Sequence, residues 1–199
     1  MNNHNAHEGG KTMPISNLAN AYRKKKSITW RYRALLLIPI FLFSLFETWA
    51  QNTYAVHANI IYRFTKYINW PDDKKTGEFV IGVIGDTPLF DELQNFTSKR
   101  SPAGQPIVVK KFPPSATVYN CHILFVSDDV STSIKRIAAS TAGAPTLLVT
   151  ESEGLSRKGA CINFMVVDDR LKLEINKTNI ERRSLGIASE LLNLGIIVK

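Results

Sequence analysis

The chain has 199 residues, 44% of them hydrophobic, and a formal net charge of +8 at pH 7. This length is enough for one ordinary domain with a substantial core. Seven of the 25 Lys and Arg, but only two of the 17 Asp and Glu, lie in the first fifty residues. The rest carries 18 basic and 15 acidic residues, a net +3, so the charge is poor evidence for nucleic-acid or membrane-surface binding.

The front of the chain predicts an export signal. A basic stretch precedes an almost unbroken apolar run, Ala34 to Phe46, and Thr48-Trp49-Ala50 places small residues where a signal peptidase reads. The apolar run is shorter than the roughly 20 residues that cross a bilayer as a helix. We therefore expect residues 1–50 to be a signal peptide cleaved after Ala50, and residues 51–199 to be the exported domain. Met13 is an alternative start.

The first predicted element after this leader is an amphipathic helix, Asn52 to Asn69, with apolar side chains every three or four residues. Pro71 ends it, because the residue before a proline is pushed out of the helical region. The aromatic residues up to Trp70 either close the core or line a binding surface. Aromatics at helical spacing more often face the interior.

Later segments alternate between strand and helix patterns. The predicted strands are Phe79–Ile84, Pro106–Phe112, Cys121–Val126, Thr146–Thr150, and a hairpin of Ile162–Val167 with Leu171–Ile175. The predicted helices follow Thr87-Pro88, run from Ser127 to Ala139, and run from Thr178 to Leu194 with Ile180, Ile187, Leu191 and Leu194 inward. This order predicts an α/β fold: a single three-layer domain with a mixed β-sheet flanked by helices.

Export would place the two cysteines, Cys121 and Cys161, where disulfides persist. Each opens a separate predicted strand, and a third strand candidate lies between them. In chain order their Cα atoms would be roughly 9 to 10 Å apart, beyond disulfide reach. We expect two unpaired, largely buried thiols.

No motif predicts a cofactor, a metal or a catalytic centre. Gly82 and Gly85 lack the third glycine of a dinucleotide-binding loop, and Gly154 to Gly159 leads into a strand where a phosphate loop needs a helix. His57 and His122 have no carboxylate or cysteine at ligand spacing. We expect satisfied structural histidines, no cofactor, and a protein that is not an enzyme.

Several segments, in order, resemble the YfiR family. They are AxxIxxFxKYxxWP from Ala58 to Pro71, FVIGVIGD, CHILFVS, LLVTESEGLSRKGACINF, LKLEIN and LGIASELLNLG. The resemblance spans about Ala58 to Leu194. One departure is Ile187-Ala188-Ser189, where the family tends to show Ile-Ser-Ser.

The resemblance implies a periplasmic regulatory protein without catalytic activity. Such a protein holds the sensor region of a membrane-bound diguanylate cyclase inactive, which lowers cyclic di-GMP and biofilm formation. An outer-membrane lipoprotein relieves this inhibition, and related domains occur attached to sensory kinases. Whether this chain regulates a cyclase, a kinase or another protein stays open at this point.

Six residues are candidates for partner binding. Tyr62, Tyr67 and Trp70 lie in the opening motif, whereas Asn163, Glu174 and Asn176 match polar positions of the family's late strands. Glu174 shares a strand face with Lys172 and Asn176, which we expect to be the wetter side of the hairpin. Hydrogen bonding within the sheet margin is the other interpretation.

Two further expectations concern assembly and ligands. A homodimer is expected, because symmetric pairs are the commonest assembly. The alternative function is a periplasmic small-ligand-binding sensor domain, and a cleft lined by Trp70 and the loop after Thr150 would favour it.

Overall fold

The computed structural model describes residues 47–98 and 100–199. Residues 51–199 form one compact unit. The apolar run of the predicted export signal lies outside the described residues, so that signal and its cleavage after Ala50 stay predictions. Within the described ranges, no helix has both the length and the apolar character needed to cross a membrane.

Five helices and nine strands make up the described part. The helices are α1 (Glu47–Tyr67), α2 (Leu89–Thr97), α3 (Ile134–Ser140), α4 (Lys177–Glu181) and α5 (Ser189–Leu192). The strands are β1 (Ile68–Asn69), β2 (Phe79–Ile84), β3 (Ile107–Lys111), β4 (Ile123–Val126), β5 (Leu147–Thr150), β6 (Ile162–Val167), β7 (Arg170–Asn176), β8 (Gly186–Ile187) and β9 (Ile196–Val198). Single turns of 3-10 helix lie at Asp72–Lys74, Pro102–Gly104 and Leu155–Lys158, and a longer one at Asp128–Ser133.

Seven strands form a mixed sheet in the order β3-β2-β4-β5-β6-β7-β9. The first five strands in this order, β3, β2, β4, β5 and β6, run parallel to one another. Strand β7 is antiparallel to β6, and β9 is parallel to β7. Every residue of β2, β4 and β5 is buried, as expected for parallel strands covered on both faces. The predicted single α/β domain with a mixed, helix-flanked sheet is confirmed.

The helices divide between the two faces of the sheet. The β2-α2-β3 and β4-α3-β5 crossovers run in opposite directions along the sheet, so right-handed connections put α2 and α3 on opposite faces. Helix α1 shares the face of α2, since Tyr62 meets Phe96 edge to face at 5.7 Å. Its Phe64 lies over Phe164 of β6, with ring centroids 6.4 Å apart.

The predicted hairpin is confirmed. Strands β6 and β7 are joined by Asp168 and Asp169, both with positive φ, at 50° and 55°. A two-residue hairpin turn whose twist matches the strands needs left-handed residues at both positions, and Asp tolerates that conformation better than most side chains.

The first helix ends earlier than predicted. Helix α1 stops at Tyr67 instead of Asn69, because Ile68 and Asn69 pair with Ile187 and Gly186 of β8. Pro71 follows four residues after Tyr67 and precedes the separate short turn at Asp72–Lys74. Pairing with a distant segment thus overrides the local helical pattern at Ile68 and Asn69. Sequence periodicity cannot reveal such pairing.

The predicted final helix, Thr178 to Leu194, is wrong. Helix α4 ends at Glu181, Ser184 takes a left-handed φ of 55°, and β8, α5 and β9 follow. Ile180 and Leu191 are buried as expected, but Ile187 is only half-buried and Leu194 is 68% exposed. The helix is interrupted because β8 pairs with β1 and β9 extends the sheet beside β7.

Both cysteines are buried and unpaired, as predicted. Burial raises the pKa of Cys121 to about 12 and also raises the pKa of Cys161. The thiols therefore stay protonated and weakly nucleophilic at neutral pH.

Candidate functional site

The three predicted polar candidates lie together at the β6–β7 end of the sheet. Asn163 is fully buried, and its Oδ1 accepts a hydrogen bond from Thr150 Oγ1 at 2.7 Å. Its Nδ2 donates to Glu174 Oε2 at 3.0 Å, and Ser156 Oγ donates to the same oxygen at 2.9 Å. Glu174 is therefore held beneath the Leu155–Lys158 turn and half-buried, which differs from the wet position expected for it.

Asn176 extends this network. Its Oδ1 accepts from Asn179 N at 3.0 Å and caps α4, while its Nδ2 donates to Ser156 O at 3.0 Å. Asn179 Nδ2 donates to Ser156 O and Ala160 O. These contacts tie α4 and the preceding loop to the sheet, which supports the interpretation of hydrogen bonding within the sheet margin. Partner binding by these side chains stays a prediction.

The three aromatic candidates lie apart from that network. Trp70 is 5% exposed, its ring edge meets Phe79 at 5.0 Å, and its Nε1 donates to His122 O at 3.3 Å. Tyr62 is half-buried between Phe96 and Arg100, whose guanidinium lies 5.7 Å from the Tyr62 ring centre. Trp70 is thus packed into the core at the amino ends of β2 and β4.

His122 lies at the amino end of β4 and is satisfied, as predicted. Its Nδ1 accepts from Val80 N at 3.0 Å, and its Nε2 lies 2.8 Å from Lys74 O, to which it donates. The ring also stacks on Phe79 at 4.3 Å. Both nitrogens have partners only in the Nε2-protonated tautomer, so this imidazole is neutral and structural.

The prediction of a hydrogen-bonded structural histidine is wrong for His57. It is 4% exposed, stacks on Phe164 at 4.2 Å, and neither ring nitrogen has a hydrogen-bond partner. Its Nδ1 lies 3.8 Å from Glu151 Oε2. Burial lowers the pKa of His57 to about 4, so the ring is neutral at physiological pH.

Glu151 is a residue that the sequence analysis missed. Its side chain is 10% exposed, and its Oε1 accepts from Asp128 N at 3.3 Å and Tyr54 OH at 3.4 Å. Burial raises the pKa of this carboxyl to about 7. The available signal was its place directly after the buried strand β5, where parallel sheets collect polar groups.

The point at which the strand order reverses lies between β2 and β4, where ligands bind in many open α/β sheets. Here the protein's own side chains occupy it. Gly85 has a φ of 99°, and a Cβ there would overlap Ser127 Oγ and Asp129 Oδ1. Asp129 Oδ2 also accepts from Asp86 N at 3.1 Å. A carboxylate of the chain thus takes the place that a phosphate would need.

A cleft of about 480 Å³ lies beside Trp70, and we call it the lysine cleft. It is lined by Thr65, Lys66, Tyr67, Ile68, Asn69, Trp70, Lys74, Lys75, Phe79, Pro102, Gln105, Gly186, Ile187 and Ala188. The loop after Thr150 takes no part, because it follows the carboxyl end of β5 whereas Trp70 contacts His122 at the amino end of β4. A cleft shared by Trp70 and that loop is therefore excluded.

A larger, more apolar groove of about 650 Å³ runs along α1, and we call it the α1 groove. Its lining residues are Ala55, Val56, Asn59, Ile60, Arg63, Phe64, Tyr67, Phe96, Leu171, Lys172, Leu173, Leu191 and Leu194. Tyr67 is the one predicted candidate among them, and it also lines the lysine cleft.

Two exposed apolar side chains, Val56 and Leu194, line this groove, and others lie on the elements that form it or adjoin it. Among the residues with described side chains, the large exposed hydrophobics are Val56, Val118, Val166, Leu194, Ile196 and Ile197. All but Val118 belong to α1, to the β6–β7 hairpin or to the segment leading into β9 and β9 itself. A concentration of exposed apolar surface usually marks a contact with another molecule.

A protein-family model described as YfiR/HmsC-like matches residues 54–196. The chain belongs to the YfiR/HmsC-like family. The resemblance drawn from its motifs is confirmed, and the match includes every residue that lines the α1 groove and the lysine cleft. A search of curated protein sequences returns no match.

YfiR/HmsC-like proteins are periplasmic regulators of diguanylate cyclases. In this member, three of the polar groups described above are committed to the fold. His122 is fully hydrogen-bonded, Asp129 fills the strand reversal, and Glu174 holds the loop over β7.

Proposed function

We propose that this protein is a non-enzymatic periplasmic regulator that binds the periplasmic sensor region of a membrane diguanylate cyclase or sensory kinase. Family membership supports the regulatory role. The observation that carries the proposal is the concentration of exposed apolar side chains beside the α1 groove. Keeping such a face in water costs free energy that contact with another protein recovers.

A regulator of this kind inhibits by binding one state of its target better than the other, since equal affinity for both states would shift nothing. The fold provides a rigid face for such discrimination, because α1 is fixed to the sheet through buried Phe64 and Ile61. Release by an outer-membrane lipoprotein would then require only competition for the same surface. No catalytic group is needed at any step.

Export is part of the proposal. The predicted signal peptide would deliver residues 51–199 to the periplasm, where a membrane protein's sensor region is accessible. N-terminal sequencing of the protein from a periplasmic extract is expected to begin at Gln51. Recovery of the protein in the cytosolic fraction with residues 1–50 attached would contradict it.

The direct test of the proposed function combines deletion with capture. Deleting the coding sequence is expected to raise cyclic di-GMP, or to activate the target kinase, and restoring the wild-type chain is expected to reverse the change. The mature chain used as bait on detergent-solubilised membranes should recover a cyclase or kinase with a periplasmic region. Unchanged signalling in the deletion strain would contradict the proposal.

The lysine cleft supports a second candidate, a sensor for a small anionic ligand. Lys66, Lys74 and Lys75 line it beside the buried ring of Trp70, and no carboxylate is among its described lining residues. Carboxylate and phosphate compounds in a thermal-shift screen would raise the midpoint if they bind there. Loss of that shift in Lys74→Ala would place the ligand in the cleft.

A further inference from the structure

We infer that the α1 groove binds one free fatty acid, whose acyl chain lies along α1 and whose carboxylate is held by Arg63. The inference rests on the proposed function only for its consequence, because a ligand in this groove would compete with a protein that contacts the same face. It follows from the lining of the groove, from its size and from the donors at one point along it.

The walls of the groove are apolar with few polar groups. Ten of its thirteen lining residues are apolar or aromatic, and the other three are Asn59, Arg63 and Lys172. No acidic side chain is among these described lining residues. Apolar walls with a small number of placed polar groups are usual for small-molecule sites. The polar groups here suit an amphiphile whose head carries a negative charge.

The size of the groove suits a single acyl chain. Its volume of about 650 Å³ lies within the range of roughly 300 to 1,000 Å³ that ligand pockets occupy. From Ala55 to Tyr67 it follows twelve residues of α1, or about 18 Å. A helix of that length, about 10 Å across with its side chains, has more than twice the volume of the groove. A helix could therefore enter only in part, whereas one acyl chain can lie within it.

Arg63 supplies the positive charge for the carboxylate. Its Nε donates to Asn59 Oδ1 at 3.1 Å, which holds the guanidinium against α1. Within the described ranges Arg63 is in no ion pair. Its two terminal amino groups can therefore bind a carboxylate in the bidentate geometry that a guanidinium favours.

Tyr67 adds a second donor. It lines the groove four residues beyond Arg63, on the same face of α1, so its hydroxyl can donate to the same carboxylate. Both residues are near the carboxyl end of α1, where the partial negative charge of the helix disfavours an anion. The full charge of the guanidinium is larger than that partial charge.

The other charged side chains near the groove are not placed to hold the head group. Glu190 and residues 168–170 at the hairpin turn are exposed and are not part of the lining. Lys172 does line the groove, but strand alternation turns its side chain to the face opposite that of Leu173. Among the described lining residues, Arg63 is thus the charged side chain that can reach the carboxylate.

Isothermal titration calorimetry with decanoate tests the site, on delipidated protein purified from a periplasmic extract. One decanoate per chain is expected. Hexanoate, with a shorter chain, should bind at least about tenfold more weakly, because each buried methylene adds affinity. Decanol, with the same chain and no charge, should bind about fivefold more weakly. Absence of saturable decanoate binding, or equal affinities for decanoate and hexanoate, would overturn the inference.

Two charge-removing variants locate the carboxylate. Arg63→Gln is expected to weaken decanoate binding about fivefold and to leave decanol binding unchanged, since only the charged head loses its partner. Lys172→Gln is the matched control, because it removes the same charge from the lining, and it should change decanoate binding by less than about twofold. Equal effects of the two variants would overturn the assignment of the carboxylate to Arg63.

A charge placed in the wall tests the position of the acyl chain. Val56→Asp changes a side chain that is 44% exposed, and it should weaken both decanoate and decanol at least about tenfold. If circular dichroism shows that this variant unfolds, Leu194→Asp, at a lining residue 68% exposed, takes its place. Val118→Asp, at a residue 73% exposed outside the groove, is the control and should bind normally. Loss of decanoate binding in Lys74→Ala would place the acid in the lysine cleft and overturn the inference.

Two further measurements distinguish other occupants and the proposed function. Co-sedimentation with phosphatidylglycerol vesicles that is lost in Val56→Asp would mean that the groove takes a membrane lipid, and it would overturn the inference. If decanoate does not bind but Arg63→Gln and Val56→Asp both lose capture of the membrane partner, the groove takes a segment of that protein. The inference then fails and the proposed function stands. If decanoate binds and the deletion strain shows unchanged signalling, the proposed function fails alone.

Discussion

The buried histidines at the two ends of the sheet differ in their hydrogen bonding. At the amino end, His122 has both ring nitrogens hydrogen-bonded to backbone groups of neighbouring segments. At the carboxyl end, His57 has no hydrogen bond and faces the buried carboxyl of Glu151 across 3.8 Å. The His122 ring therefore fixes the positions of the segments that carry Val80 and Lys74. The His57 ring, in contrast, is held only by packing.

The largest expected effect of a single change is at the amino end. His122→Phe keeps the stack on Phe79 but leaves Val80 N and Lys74 O without partners. We expect the free energy of unfolding to fall by about 3 kcal/mol, measured by urea denaturation at pH 7. A loss below about 1 kcal/mol would contradict the structural role given to this ring.

Asn163→Ala tests the hydrogen-bonded network at the other end with a slightly smaller effect. Thr150 and Glu174 would each lose a partner next to a fully buried site. A loss of about 2 kcal/mol in unfolding free energy is expected, with the fold retained by circular dichroism. Asn163→Asp is a useful control, since it adds a charge beside Glu174 and should be worse at pH 8 than at pH 5.

The pH dependence of stability sharpens the comparison further. The pKa of Glu151 is about 7 in the folded protein against an ordinary value of 4.5, so ionisation in the unfolded chain lowers stability as pH rises from about 4.5 to 7. The pKa of His57 is about 4 against 6.5, so stability rises with pH from about 4 to 6.5. Between pH 4.5 and 6.5 the pair therefore holds one proton in both states, and the slopes cancel.

Glu151→Gln is expected to remove this cancellation. The variant should gain stability as pH rises from 4.5 to 6.5, and should exceed the wild type by about 1 to 2 kcal/mol at pH 8 after allowance for solvent screening. Urea midpoints at five pH values between 4 and 8 would show it. Parallel curves for variant and wild type would mean that Glu151 ionises normally.

His57→Phe is expected to have the smallest effect. Phenylalanine can keep the stack on Phe164 and removes two unpaired buried nitrogens, so the unfolding free energy at pH 7 should change by less than about 1 kcal/mol in either direction. If His57→Phe lowered the unfolding free energy as much as His122→Phe, the two histidines would not differ in their contribution to stability, which would contradict the comparison.

The sequence was informative where local pattern and tertiary structure agree. Continuous apolar runs predicted β2, β4 and β5, because strands buried on both faces need no polar residues. The turn at Asp168-Asp169 predicted the hairpin. The segment after β7 was harder to predict, since β8 and β9 are short strands whose partners, β1 and β7, come from elsewhere in the chain.

The candidate site was harder to predict. Asn163, Glu174 and Asn176 were singled out as candidates for partner binding, which stays a prediction, and their mutual contacts depend on the loop at Ser156, which sequence spacing cannot place. Glu151 was missed, because burial by Tyr54 and the Asp128 loop is a tertiary event. The α1 groove combines α1, β7 and α5, and the mistaken final helix concealed the exposure of Leu194.

Complementation of a deletion strain tests the central claim, regulation by protein contact through the α1 groove, most directly. Cyclic di-GMP, or phosphorylation of the kinase target, would be measured with wild type, Val166→Asp and Val118→Asp expressed at equal periplasmic levels. The account predicts that wild type and Val118→Asp restore inhibition and that Val166→Asp does not. Equal restoration by all three would contradict it.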